Sequence, residues 1–328
     1  MKVLVTGAGG YIGTVLVNQL LDNKQEVVAL DRFFFNQTLK EREGLSIVND
    51  DIRFVEPDIF KDVYSVIDLA ALSNDPSGEL DPIKTWSINY LGRLRIAVLA
   101  KRSGVKRYIL PSSCSVYGFN ENVLNERSET NPLTTYAKAN LKAEKDILPL
   151  TDDEFSVTVF RLATVYGYGG TKRMRFDLVI NAYVRDLLTK GKLMIMRDGT
   201  QWRPFVHIKD VARVLSMAAM LPVNELAGEV INLGSDEQNY QIMDLAKRIA
   251  NALEVDLKYE WYGSPDTRSY RVSFDKIRKV MNFKPEYNAE SGAKEIADAI
   301  KSKELDVSDP RWITVSWYKD LIAKGVMI

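Results

Sequence analysis

Glycines at positions 7, 10 and 13 lie in Thr6-Gly7-Ala8-Gly9-Gly10-Tyr11-Ile12-Gly13, directly after the apolar run Val3-Leu4-Val5. A turn this tight needs positive φ or no side chain. A helix opening at Tyr11 would then offer free N–H groups and partial positive charge to an anion. The spacing predicts a strand-to-helix turn that cradles a pyrophosphate, with Tyr11 and Ile12 inside it. Asp31 ends the next apolar run. A carboxylate there accepts hydrogen bonds from adenosine ribose hydroxyls and repels an additional phosphate, which predicts NAD as the cofactor in preference to NADP. Arg32 adjoins it on the rim of the cofactor site. Its guanidinium has the chemistry to pair with such a phosphate, but beside Asp31 it is read as a solvated loop residue. Phe33-Phe34-Phe35 could cover the adenine, but packing between loop and core is the preferred reading.

These groups need rigid supports. Short apolar runs alternate with longer amphipathic ones, the pattern of repeated strand-helix units. Strands are expected at residues 2–6, 27–30, 52–55, 65–69, 107–110 and 156–160, and helices at 11–21, 83–103 and 135–148. The alternation breaks after Tyr166-Gly167-Tyr168-Gly169-Gly170, where the basic segment Lys172-Arg173-Met174-Arg175 intervenes. A helix at 208–221 and a strand at 230–233 then return to the first lobe. The expectation is an α/β protein: a Rossmann-type doubly wound parallel sheet with a smaller, discontinuous C-terminal substrate-binding lobe. The cofactor domain spans residues 1–167 with return segments at about 204–234, and the lobe spans 168–203 and 235–328.

Composition narrows the function classes. Forty-four basic residues balance forty-four acidic ones in 328 residues, so no global field attracts nucleic acid or an anionic membrane. Cys114 and His207 are the only residues of their types. That removes intrachain disulfides and the usual zinc ligand sets, so no metal is expected and a reducing cytoplasm fits. No apolar stretch approaches the roughly 20 residues needed to span a bilayer.

With these residues placed, the chain resembles the extended short-chain dehydrogenase/reductases, specifically the NAD-dependent nucleotide-sugar epimerases and dehydratases, over nearly its whole length. The glycine spacing matches theirs. Asp58-Ile59 is similar to the family's adenine contact, Leu69-Ala70-Ala71 to the segment lying along the cofactor, and Asn89 to an asparagine of the long fourth helix. Pro111-Ser112-Ser113-Cys114-Ser115-Val116-Tyr117-Gly118 resembles the segment carrying the catalytic serine, which assigns that role to Ser113. Tyr136 stands where the family has its catalytic Tyr-x-x-x-Lys. The fit breaks at Asn140, which occupies the lysine's place, and Lys138 and Lys142 fall on other faces of the helix. A free tyrosine titrates near 10, and a lysine about 4 Å away at an effective dielectric of about 20 would favour the phenolate by up to roughly 4 kcal/mol. Asn140 supplies no such charge. Hydrogen bonding to the nicotinamide ribose is what remains for it, and the positive nicotinamide ring would itself favour a phenolate.

The resemblance also bears on the reaction. Family 4,6-dehydratases carry Asp-Glu after the catalytic serine or threonine, whereas this chain has Cys114-Ser115. Without those carboxylates, redox at a secondary alcohol, most simply at C4 of the sugar, is expected: epimerisation through a transient ketone, or net oxidation or reduction. Tyr136 would take the hydroxyl proton, Ser113 would hydrogen-bond the same oxygen, and NAD would take the hydride. Thr164 occupies the place of a substrate-binding asparagine. Arg203, in Gly199-Thr200-Gln201-Trp202-Arg203, resembles the family's diphosphate ligand, and Arg268, in Pro265-Asp266-Thr267-Arg268, is the second candidate. Arg173 and Arg175 could also line the pocket, although a charge run is more often a solvated face, and His207 is read as a packing residue. Helices at residues 90–99 and 136–148 resemble those of the family's homodimer interface. The alternative is a non-catalytic, regulatory NAD-binding member of the fold, and Asn140 is the feature that speaks for it.

Overall fold

Along the first strand the side chains divide between two cores, Val3 and Val5 entering one and Leu4 the other. Burial on both faces is what a parallel strand covered by helices requires. The computed structural model describes residues 1–264 and 268–328, and in it this strand belongs to a seven-stranded parallel sheet. The strands are β1 (Lys2–Thr6), β2 (Glu26–Asp31), β3 (Leu45–Asn49), β4 (Val63–Asp68), β5 (Arg107–Ser113), β6 (Ser156–Leu162) and β7 (Glu229–Leu233). Their order across the sheet is β7-β6-β5-β4-β1-β2-β3. The winding reverses between β1 and β4, and a crevice opens there beyond the carboxyl ends of the strands. This is the doubly wound Rossmann-type architecture that the alternation predicts.

Helices α1 (Tyr11–Asp22) and α4 (Ile208–Ala219) cover one face, with Leu16, Leu20, Val211 and Leu215 in a common core. Helices α2 (Arg93–Arg102) and α3 (Thr135–Ile147) cover the other through Ile96, Ala97, Ala143 and Ile147. The Thr134 hydroxyl accepts from the Ala137 N–H at 3.2 Å, and this cap fixes where α3 begins and so where Tyr136 stands.

Two expected elements differ. The third strand is Leu45–Asn49, a half-buried edge strand, and not residues 52–55. That apolar segment is a turn because Asp51 Oδ1 accepts from the Arg53 N–H at 2.9 Å, while the Asp51 carbonyl accepts from Phe54 and Val55. The long helix expected at 83–103 is interrupted: Pro82–Trp86, then a π-helical turn at Ser87–Gly92, then α2. Beyond β6, the strand Thr164–Tyr166 pairs in parallel with Trp202–His207, which pairs antiparallel with Asn239–Gln241. Helices Val179–Lys190, Ile242–Ala252 and Ala289–Lys301 pack together beside them.

Candidate active site

A cleft of about 650 Å³ runs over the carboxyl ends of the main sheet. At β1 it meets the glycine turn. Gly7 has φ +65°, and a Cβ there would lie 2.7 Å from the Leu69 carbonyl carbon; a Cβ on Gly13 would lie 2.2 Å from the Gly7 oxygen. No side chain caps α1, and Gly10, Tyr11, Ile12 and Gly13 all line the cleft. Tyr11 also ties the turn to the chain beyond β6: its hydroxyl donates to the Gly167 carbonyl at 2.5 Å and accepts from Asn181 at 3.0 Å. Leu69, Ala70 and Ala71 form the wall after β4. Asp31, at the end of β2, accepts from the Gly9 and Phe33 N–H groups at 3.0 and 2.6 Å, and burial holds its carboxyl above the usual range. A turn with no room for side chains, an uncapped helix start and a carboxylate at the end of β2 fit a dinucleotide.

Three cofactor-side expectations need correction. Asp58 is exposed and, with Ile59, lies off the cleft; the second Asp-Ile pair, Asp51-Ile52, lines it. Asp51 follows the third strand, Leu45–Asn49, by two residues. Asn89 is fully buried and off the cleft, its amide bracketing Leu72 through the backbone N–H at 2.8 Å and the carbonyl at 3.0 Å. It shapes the cleft wall from behind. Arg32 lines the cleft, and only its reading as a solvated loop residue is corrected. It bonds Asp51 at 2.8 Å and the Met327 carbonyl at 3.2 Å. Burial works against ionisation of Asp51, but the bonds from Arg53 and Arg32 win and pull its carboxyl down to about 2.

Ser113, at the end of β5, and Tyr136, in the first turn of α3, face the same cleft. Burial raises the Tyr136 hydroxyl above its ordinary value and the Asp75 carboxylate adds to this, while Arg93, the Ser113 hydrogen bond and Arg175 oppose it. Asn140 is 2% exposed and does not line the cleft. Its Oδ1 accepts from Arg93 at 2.9 Å and its amide donates to the Tyr136 carbonyl at 3.1 Å. The expected bond from Asn140 to a cofactor ribose is therefore not what this arrangement offers, because the side chain is turned toward a buried arginine.

Toward the C-terminal region, Thr164, Arg203 and Arg268 line the same cleft. Arg268 holds Asp75 at 2.6 Å. Arg203 lies 5.4 Å over the Tyr270 ring and donates to the carbonyls of Trp202, at 2.8 Å, and Arg268. Residues 265–267 of the Arg268 segment lie outside the described residues. Ser115 Oγ, buried in the cleft wall, has no partner among the described residues. Cys114 is buried with its thiol pushed well up by desolvation, so it is no proton donor or acceptor here.

Two arginines that the sequence offered only as a lesser reading, against a solvated face, line the cleft. Arg173 and Arg175 are buried, not a solvated face. Arg175 pairs with Asp177 at 2.8 Å and donates to Ser73 at 3.1 Å. Arg173 lies 3.7 Å over the Phe35 ring, burial pulls it down to about 9, and its Nε has no partner among the described residues. The aromatic run at 33–35 was the available signal, because a guanidinium stacks on such rings.

Residues 3–234 match the NAD dependent epimerase/dehydratase family. The chain belongs to that family. Among similar members, a putative UDP-glucose 4-epimerase of Methanocaldococcus jannaschii is 27% identical, covering 92% of this chain and 98% of that protein. A UDP-glucuronate 4-epimerase of Thermodesulfobacterium geofontis is 28% identical over 89% and 93%. Among solved structures, MoeE5 in complex with UDP-glucuronic acid and NAD superposes with a TM-score of 0.83 at 27% identity, over 92% of this chain and 100% of that one. Membership places the Gly7–Gly13 turn, Ser113 and Tyr136 in an enzyme family that works with NAD.

Proposed function

We propose that this protein is an NAD-dependent nucleotide-sugar 4-epimerase acting on a UDP-linked sugar. The observation that carries the reading is that Ser113 and Tyr136 face one cleft whose one end is a side-chain-free phosphate turn and whose other end holds Arg203 and Arg268. Gly7, Gly10, Tyr11, Ile12, Gly13, Asp31 and Leu69–Ala71 would hold NAD, which supplies a hydride acceptor when bound. Tyr136 Oη takes the proton of the sugar's secondary hydroxyl, and Ser113 Oγ donates a hydrogen bond to the same oxygen. Arg203 and Arg268 bind the diphosphate, and Thr164 contacts the nucleotide sugar. The regulatory alternative loses its ground, because the similar proteins carry enzyme names and Asn140 is engaged with Arg93.

A homodimer built on α2 and α3 belongs to the same reading; Leu91, just before α2, is 55% exposed. So does a cytoplasmic location, which the buried free Cys114 suits. Among the described residues no helix is long and apolar enough to cross a membrane.

The test is to incubate the NAD-loaded protein with UDP-glucose, UDP-glucuronate and UDP-N-acetylglucosamine and resolve the C4 epimers chromatographically. Tyr136→Phe should lower kcat by roughly 100- to 10,000-fold while NAD stays bound. Undiminished turnover by that variant refutes the tyrosine base.

A further inference from the structure

Tyr136 presents a charge problem. Its phenolate is disfavoured by burial and by Asp75, so a base at this position needs a fixed cation nearby. Its own helix does not bring one: Lys138 is exposed, Asn140 is neutral, and Lys142, also exposed, pairs with Asp146 at 2.7 Å. The charges on neighbouring elements are Asp75 with its partner Arg268, Glu79 bonded to the Thr135 N–H, Arg175 with Asp177, and Arg93 with Asp68.

Arg93 stands apart from the other cations in three ways. It is 1% exposed, so solvent does not screen it as it does the partly exposed Arg268, and Arg175, which is likewise buried, is closed more tightly by its own carboxylate, Asp177, at 2.8 Å. It follows the π-helical turn Ser87–Gly92, an irregularity of helices that commonly marks a functional position. Its fork spans from the main sheet to α3: Nη2 donates to the carbonyls of Asp68 at 2.8 Å and Pro111 at 2.6 Å, Nε faces Asp68 Oδ2 at 3.4 Å, and Nη1 donates to Asn140 at 2.9 Å. The Asp68 counter-charge is shared, because the Thr6 hydroxyl donates to its Oδ1 and the Tyr108 hydroxyl to its Oδ2. Asn140 joins the two helices, accepting from Arg93 and donating to the Tyr136 carbonyl at 3.1 Å. A lysine at 140 would meet the guanidinium head-on, and an asparagine there is what lets the cation dock.

We propose that Arg93, docked on Asn140 one helical turn along α3 from Tyr136, is the fixed cation of this active site, supplied from α2 where a lysine at position 140 would have supplied it from α3. Arg93 does not line the cleft, so it is a positioning residue that acts on Tyr136 through its field and through Asn140. Guanidinium suits the place because it keeps its proton when buried and satisfies several acceptors at once. The proposal rests on Tyr136 being the base.

The test uses NAD-loaded protein and two readouts: phenolate absorbance of Tyr136 on alkaline titration, taken as the difference from Tyr136→Phe, and the pH profile of kcat/KM with UDP-glucuronate. Arg93→Gln should move both the titration and the acid limb upward by about one pH unit, roughly tenfold in rate at a fixed pH below the limb. Adding Asn140→Lys to that variant should bring both back, a rescue that a purely structural arginine would not permit. If Arg93→Gln fails to fold, Asp68→Asn with Arg93→Gln removes the buried pair without leaving an orphan charge and should shift both readouts in the same direction by a smaller amount, because the Asp68 anion leaves with the cation. A folded variant of either kind with an unmoved titration and limb overturns the proposal. Tyr136→Phe separates the two failures: if it still turns over, the tyrosine base falls, and if it is inactive while the Arg93 variants titrate like the parent, only the role of Arg93 falls.

Discussion

Replacing Gly13 by alanine probes the cradle on which the cofactor reading depends. The added Cβ would sit 2.2 Å from the Gly7 oxygen and 2.8 Å from both Cα and O of Ala8, all backbone atoms. No rotamer relieves such a contact. Against an ordinary separation of about 3.5 Å, the turn must open by roughly 1 Å. Overpacking of this kind costs about 1–3 kcal/mol of stability. The larger effect falls on the ligand. If opening the turn removes two hydrogen bonds from N–H groups to a charged phosphate, each worth about 1.5–3 kcal/mol, NAD should bind roughly 100- to 10,000-fold more weakly. Gly9→Ala is the control, because the nearest atom to its Cβ is Phe33 Cδ1 at 2.7 Å, part of a side chain that can swing aside. Its loss should stay under about tenfold. Calorimetric titration of NAD into each cofactor-free protein, with thermal melts to confirm folding, gives the comparison. A folded Gly13→Ala protein that binds NAD as tightly as Gly9→Ala refutes the claim that this turn grips the pyrophosphate.

Further outcomes follow from the same cleft. Asp31→Ala removes the carboxylate that would repel a ribose phosphate, so the preference for NAD over NADP should narrow by about tenfold or more in fluorescence titrations; an unchanged ratio refutes that role. Asp75→Asn removes an anion that raises the Tyr136 hydroxyl. The base works deprotonated, so kcat/KM is full above its pKa and falls as pH drops through it; lowering the pKa should move that acid limb down by roughly half a unit to one unit, and a limb that rises or stays contradicts the assignment. Arg203→Met should raise KM for a UDP-sugar by roughly 10- to 100-fold with a smaller effect on kcat. Steady-state kinetics showing the reverse split would move Arg203 away from the diphosphate.

What the sequence made legible was local. The strand, glycine turn and helix of residues 2–22 are set by steric demands within a few residues, and the cofactor turn was visible for that reason. That Asp51-Ile52 and not Asp58-Ile59 lines the cleft follows from where the third strand ends. That end was set by one carboxylate folding its own following turn, against the β-branched and aromatic character of residues 52–55. Arg173 and Arg175 read as a solvated run because nothing nearby in sequence announces that Phe35 and Trp312, from distant segments, cover Arg173.

Asn140 is the sharper case. A scan along α3 registers a missing cation, since side chains four apart share a helical face and periodicity is blind to every other element. The structure presents to that asparagine a buried guanidinium from a helix forty-seven positions earlier in the chain. Field strength at a phenolate depends on the distance and burial of a charge, not on which helix carries it. The charge can therefore shift between adjacent helices while the tyrosine stays where it is, and the shift leaves no periodic mark. A broken Tyr-x-x-x-Lys spacing is accordingly weak evidence against turnover until every charge packed around the tyrosine has been weighed, and around Tyr136 the cations Arg93 and Arg175 pull against Asp75.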